Sequence, residues 1–140
     1  MKNIDFTGKV RHILEYDGRY PVEAYDFINN AVKYAIDEIE KSGPSSAPRH
    51  INARELLRGM AAFACREYGP LAWEVFCNWH IYSARDVGNM VYNLVREELF
   101  STSKDDSPRD FDLDFDLREA LEAPFRRNPA DSLLDVPIIV

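Results

Sequence analysis
Apolar residues recur at helical spacing through most of this chain and switch to strict alternation once, from Phe111 onward. Phe6, Val10, Ile13 and Leu14 share one face of a helix predicted over residues 5–16, which Asp17-Gly18 stops because that pair favours turn geometry. Pro21 then suits a first helical position, where its missing N–H costs nothing. Behind it Ala24, Ile28, Ala31, Val32, Ala35 and Ile39 form a stripe widened by Tyr25 and Ile36, with Glu23, Asp26, Asn29, Asn30, Lys33 and Asp37 mostly opposite. Gly43-Pro44 closes this helix, and residues 42–50 read as a surface loop.

Residues 51–100 hold both tryptophans, both cysteines and three more helical patterns. Asn52 with Glu55 makes a capping box for a helix over 53–68, buried through Leu56, Leu57, Met60, Ala61 and Ala64 together with Phe63. Tyr68-Gly69-Pro70 is a stop followed at once by a start, which sets the next helix, 70–80, at a sharp angle. That helix carries Leu71, Trp73, Val75, Phe76, Trp79 and Ile81 nearly all round, so it is expected to be buried or covered by a partner. Ser83 with Asp86 caps a helix over 84–99, whose apolar face is Val87, Met90, Val91, Leu94, Val95 and Leu99. Arg85, Asp86, Asn89, Asn93, Arg96 and Glu97 fall off that face. Gly59 and Gly88 interrupt two good helices at a cost of about 1 kcal/mol each against alanine, which predicts that a neighbouring helix approaches closely at both.

Residues 101–110 are polar and turn-rich, and Phe111, Leu113, Phe115 and Leu117 then alternate with aspartates, the period of a short strand with one buried face. Residues 118–125 allow one or two helical turns before Pro124, and the chain ends in an apolar stretch, LLDVPIIV. The expected fold is therefore mainly α. It is a compact single domain over residues 1–125, with five or six helices, a small β element near residues 100–117 and an apolar tail at 126–140. Three helices followed by a polar turn and a strand also follow the order of a winged-helix domain, with 84–99 as recognition helix and 101–110 as wing.

The segments RYPVEAYDFI (19–28), RHINARELL (49–57), YGPLAWEVF (68–76), DVGNMVYNLVREEL (86–99) and DSPRDF (106–111) together resemble a family of small uncharacterised bacterial proteins best known from planctomycetes and verrucomicrobia. The resemblance spans about residues 10–125. That family has no assigned activity or catalytic residues, so the resemblance implies no site.

Composition narrows the function more than it identifies it. With 140 residues the chain needs no disulfide or metal to build a core. No apolar run reaches the ~18–20 residues that cross a bilayer, and the N-terminus lacks the apolar core of a secretory signal, so the expected location is cytoplasmic with no membrane partner. Two cysteines, Cys65 and Cys77, fit a reducing compartment. The net charge is −7, of which the last forty residues carry −5. Nucleic-acid binding needs clustered cations, and the would-be wing sets Lys104 and Arg109 against Asp105, Asp106 and Asp110, so nucleic acid is not the expected partner.

Candidate chemistry is sparse. Cys77 and His80 have C-x2-H spacing with Cys65 twelve residues upstream, but zinc usually takes four ligands and neither His12 nor His50 stands at a recognisable spacing. The ladder Asp110, Asp112, Asp114, Asp116 fails as a calcium loop because Phe115 and Leu121 stand where glycine and glutamate are required. No nucleophile elbow or glycine-rich phosphate loop is present, so no catalytic, metal or cofactor residues are assigned and no cofactor is expected. The function expected from the sequence is a non-enzymatic interaction or adaptor protein, self-associating or bound to a protein partner. Its candidate interface is Trp73, Phe76 and Trp79 with Leu133, Leu134, Ile138 and Ile139 of the tail. The alternatives are a winged-helix-like regulator with weak or lost nucleic-acid binding, and an enzyme or metal protein whose site is assembled only in space.

Overall fold
The computed structural model describes residues 2–41 and 51–126, with side chains from residue 6 onward. Every element of these residues is helical: α1 (Lys2–Tyr16), α2 (Val22–Lys41), α3 (Ala53–Tyr68), α4 (Ala72–Asn78), α5 (Ala84–Arg96) and α6 (Leu117–Glu122). Three 3-10 turns accompany them, at Gly69–Leu71, Pro108–Phe111 and Ala123–Phe125. No helix among them is long and apolar enough to cross a membrane.

The capping residues act as their spacing predicts. Asn52 Oδ1 accepts from the Glu55 amide at 2.8 Å while Glu55 Oε1 accepts from the Asn52 amide at 3.1 Å, which starts α3. Ser83 and Asp86 make the same reciprocal pair at the start of α5. The stops are different. His80 and Glu98 both take left-handed φ angles, 63° and 62°. Beyond α4, the His80 amide donates to the Cys77 carbonyl and Ile81 to Phe76. Beyond α5, Glu98 donates to Val95 and Leu99 to Leu94. Each is a Schellman ending without glycine, held because an apolar residue beyond the turn (Ile81, Leu99) folds back over the helix. These endings, with the 3-10 turn Gly69–Leu71 ahead of α4, shorten the predicted helices 70–80 and 84–99 to 72–78 and 84–96.

The predicted β element is not there: among the described residues no strand forms. The alternation is nonetheless real as burial. Phe111 and Leu117 are buried, Leu113 and Phe115 half-buried, and Asp112, Asp114 and Asp116 exposed. What the segment lacks is a second strand to pair with, so its polar groups bond locally. Ser107 and Asp110 form a third capping box, around the 108–111 turn, and Asp116 Oδ1 accepts from the Glu119 amide at 3.1 Å to start α6. Without a ladder there is no wing, and the second half of the described chain is not a winged helix.

Helices α2 and α3 pack along one another, α6 lies across α3 and α4, and the 108–111 turn rests on α5. Gly59 is the contact point of the first pair: a β-carbon there would lie 2.4 Å from Ala35 Cβ and 2.9 Å from Ala35 Cα. At Gly88 the neighbour is not a helix but the side chain of Phe111, whose Cβ and Cγ would stand 2.7 Å from an added carbon. The core runs through Ile13, Tyr25, Ile28, Leu57, Met60, Phe76, Val87, Leu94 and Leu121. Its aromatic centre is Phe27, which the apolar stripe of α2 does not include. Its ring centroid lies 5.5 Å from Phe63, 5.8 Å from Tyr68 and 5.4 Å from both Phe76 and Trp79.

The turn between α1 and α2 is fixed to α5 by polar groups. Arg19 holds Asp17 through Nη2–Oδ2 at 2.7 Å and Nε–Oδ1 at 2.8 Å, and Asn93 Nδ2 donates to Asp17 Oδ2 at 2.8 Å and to the Tyr25 hydroxyl at 3.0 Å. Asn93, expected off the apolar face, is thus only 4% exposed, and its bonds explain why a polar side chain is tolerated there. Tyr20 donates to Asp86 Oδ1 at 2.6 Å and accepts from Asn89 Nδ2 at 3.1 Å. Burial pushes the Tyr25 hydroxyl up to about 12, partly offset by the Asn93 bond.

The Arg19 bonds, aided by Asn93 and opposed by burial, hold the Asp17 carboxyl well below the usual carboxylate range. A carboxyl with a depressed folded pKa stabilises the protein above its unfolded value of about 3.9, and that stabilisation fades as the pH falls below it. Asp17→Asn is therefore expected to cost about 1–2 kcal/mol at pH 7, a figure reduced for the exposure of Arg19. Urea unfolding at pH 7, 4 and 2.5 should show the gap between wild type and variant closing toward the acid end. A gap of constant size would contradict it.

Candidate binding cleft
A recess of about 450 Å³ lies between α2, the start of α3, the end of α5 and the 101–111 segment. Helical periodicity builds its walls. Asn29, Val32, Lys33 and Ile36 project from α2 at spacings of three and four, and Val91, Tyr92, Val95 and Leu99 do the same from α5 and its Schellman ending. Leu56, Val91 and Phe111 are buried, while Val32, Ile36, Val95, Leu99 and Phe100 are left half-exposed around them.

The 101–111 segment forms the polar lip. The Ser103 amide donates to Asp106 Oδ2 at 2.8 Å, and the Ser107 amide donates to Asp110 Oδ2 at 3.0 Å, so both carboxylates are held by the backbone. Tyr92 stands beside them, its ring 6.4 Å from that of Phe111 in an edge-to-face contact. Burial, and then the two carboxylates, push its hydroxyl pKa above the ordinary value.

Of the residues singled out by sequence, Trp73, Phe76 and Trp79 do not line this cleft. Phe76 is fully buried and has no surface to offer a partner. Trp79 is half-buried against Phe27, Tyr68 and Phe76, and Trp73 is half-buried with the Arg118 guanidinium 5.6 Å from its ring centroid. The exposed apolar residues of that region are instead Leu71 and Tyr82, at 56% and 52%. Leu133, Leu134, Ile138 and Ile139 lie outside the described residues, as does His50.

Cys65 Sγ points to the carbonyls of Leu121 and Ala120 at 3.6 and 3.9 Å, and burial pushes its thiol pKa up, which is the setting of a protonated packing thiol. His80 Nδ1 pairs with the Tyr82 hydroxyl at 3.1 Å, and His12 Nδ1 pairs with Glu97 Oε2 at 2.9 Å. Among the described residues no group of three or more His, Cys, Asp or Glu side chains could hold a metal ion. Asp110, Asp112 and Asp116 of the acidic ladder are engaged as caps or, for Asp112, with Arg85 at 3.6 Å.

The aliphatic cleft-lining residues were legible only as core. Val32, Ile36, Val91, Val95 and Leu99 all lie on stripes predicted to be inside. The signal that some of them line an open recess is the distance between α2 and α5, which one sequence does not contain. The chain matches no protein-family model, no curated protein and no solved structure.

Proposed function
We propose that this protein is a non-enzymatic interaction module that holds an apolar segment of a protein partner in the α2–α5 cleft. The observation that carries the reading is the cleft itself: about 450 Å³ walled by half-exposed aliphatic side chains from two helices packed on the core. Apolar concavities of this size with a few polar groups at the edge are the usual form of a recognition site. Docking of apolar side chains at helical or extended spacing is a common way of filling such grooves. The polar cluster around Asp17 and Asn93 is a weaker candidate because its members satisfy one another, and among the described residues no buried side-chain nitrogen or oxygen lacks a partner.

Panning a random linear peptide library on the folded protein tests this. Enriched peptides should bind in the micromolar range, shift backbone resonances of residues 29–36 and 91–102, and lose binding at least tenfold to Val95→Trp, whose indole fills the cleft. Ile36→Glu, on the opposite wall, should act in the same direction. Peptides that bind wild type and both variants equally would sink the reading, as would an absence of enrichment.

A further inference from the structure
We propose that the C-terminal stretch of this same chain, residues 133–140, occupies the α2–α5 cleft, and that a partner's segment binds by displacing it. The proposal rests on the cleft reading above and adds the regulation of that site.

The chain is long enough to make this contact with itself. Phe111 lines the cleft, and Phe115 lines a smaller recess of about 280 Å³ together with Pro124. Four extended residues would put Phe115 about 14 Å from Phe111. The segment between them is bent, with the Phe115 amide donating to the Leu113 carbonyl at 2.9 Å, so the separation is shorter than that. The described residues end at Arg126, two positions past Pro124. From Arg126 to Leu134 the chain can reach up to about 26 Å, which covers the way back to the cleft. The recess beside Pro124 is nearer, but residues 127–132, RNPADS, come first along the chain and bring no large apolar side chain to fill it.

The stretch LLDVPIIV also suits the walls. Pro137 bars a helix through its middle and favours an extended Val136, so Leu134, Val136 and Ile138 leave one side of the backbone at strand spacing. Their counterparts are Val32, Ile36, Val95 and Leu99, half-exposed on facing walls. Asp135 leaves on the other side, toward the rim. There Lys33 is the only cation among the cleft-lining residues, and it has no polar partner among the described residues. A rim ion pair adds little affinity, but it sets the direction in which the segment lies.

Tethering makes a weak fit sufficient. At an effective concentration of about 1 mM, a segment with an intrinsic Kd of about 100 μM fills the cleft about nine-tenths of the time and weakens a competitor about tenfold.

The test uses the full chain, the Val136→Asp/Ile138→Asp double variant and a synthetic peptide of residues 128–140. In wild type, methyl nuclear Overhauser contacts should join Ile138 to Val32, Val95 or Leu99 and persist on dilution. The peptide should bind the double variant about tenfold more tightly than wild type, shift residues 29–36 and 91–102, and lose binding when Val95→Trp is added. Contacts from Ile138 to Ala61 or Ala62, contacts that vanish on dilution as those between two copies would, or equal peptide binding by wild type and double variant would overturn the proposal. If the tail fails these tests while library peptides still depend on Val95, only the self-contact is lost and the interaction reading stands. If library peptides ignore Val95→Trp while the tail contacts are seen, the interaction reading falls and the self-contact stands.

Discussion

Phe27→Ala is expected to lower the stability of this protein by about 3–5 kcal/mol, a fall of roughly 10–15 °C in melting temperature for a chain of this length. The side chain is 4% exposed and its ring packs against four others, Phe63 and Tyr68 from α3 and Phe76 and Trp79 from α4 and its C-cap. Removing it loses the transfer energy of a whole aromatic side chain and opens a cavity between α2, α3 and α4. Those three elements meet at that point, so the walls have little freedom to collapse into it. Trp79 makes the experiment easy to read, since its indole loses a neighbour at 5.4 Å and its fluorescence should change in the native state before any denaturant is added. Phe27→Leu, which keeps most of the volume, should recover more than half of the loss. A cost below about 1 kcal/mol for the alanine variant would show that the hub is not the energetic centre the ring contacts imply.

The second large effect is expected at Gly59. By helix propensity alone, Gly59→Ala should stabilise α3 by about 1 kcal/mol. Tertiary packing reverses the sign. The new methyl would lie 2.4 Å from Ala35 Cβ and 2.9 Å from Ala35 Cα, so no side-chain rotation relieves it and α2 as a whole must move away. Overpacking of this kind typically costs about 1–3 kcal/mol, and a backbone neighbour puts this site at the upper end. At Gly88 the obstructing group is the Phe111 side chain on a short 3-10 turn, which has more room to give, so the same substitution there should be milder. A double-mutant cycle gives the clearest reading. Ala35→Gly costs about 1 kcal/mol alone by propensity but should offset part of the clash, so the pair is expected to cost less than the two changes summed. Strict additivity, or a Gly59→Ala variant more stable than wild type, would contradict the close approach.

The legible parts of this fold are those decided within a few residues of sequence. The capping boxes at Asn52–Glu55 and Ser83–Asp86 are complete in four residues each, so the starts of α3 and α5 fall where the sequence puts them. The ends of α4 and α5 were not legible in this way, because their left-handed residues are His80 and Glu98, where glycine is the usual marker. They stop where they do because Ile81 and Leu99 are drawn back into apolar contact, a preference set by the rest of the core. The alternation of Phe111 to Leu117 reports which side chains face inward, and does so correctly. It does not report whether a neighbouring backbone is there to make a strand. Asn93 was misplaced for a related reason: its partners Asp17 and Tyr25 lie 76 and 68 residues away, and only their arrival makes its burial affordable.

The candidate site follows the same division. The sequence by itself determined the helical class, most of the apolar faces, and that Gly59 and Gly88 are places of close approach. It also marked residues 70–80 as carrying more apolar surface than one face needs. Only the tertiary structure decided how that surplus is used. Phe76 and much of Trp79 are consumed by the hub around Phe27, a residue off the main stripe of its own helix. The open apolar surface lies instead between α2 and α5, on residues that periodicity assigned to the interior. Periodicity fixes the direction in which a side chain leaves its helix, whereas exposure depends on how far away the next element stands. That separation is set by the sizes of side chains distant in sequence.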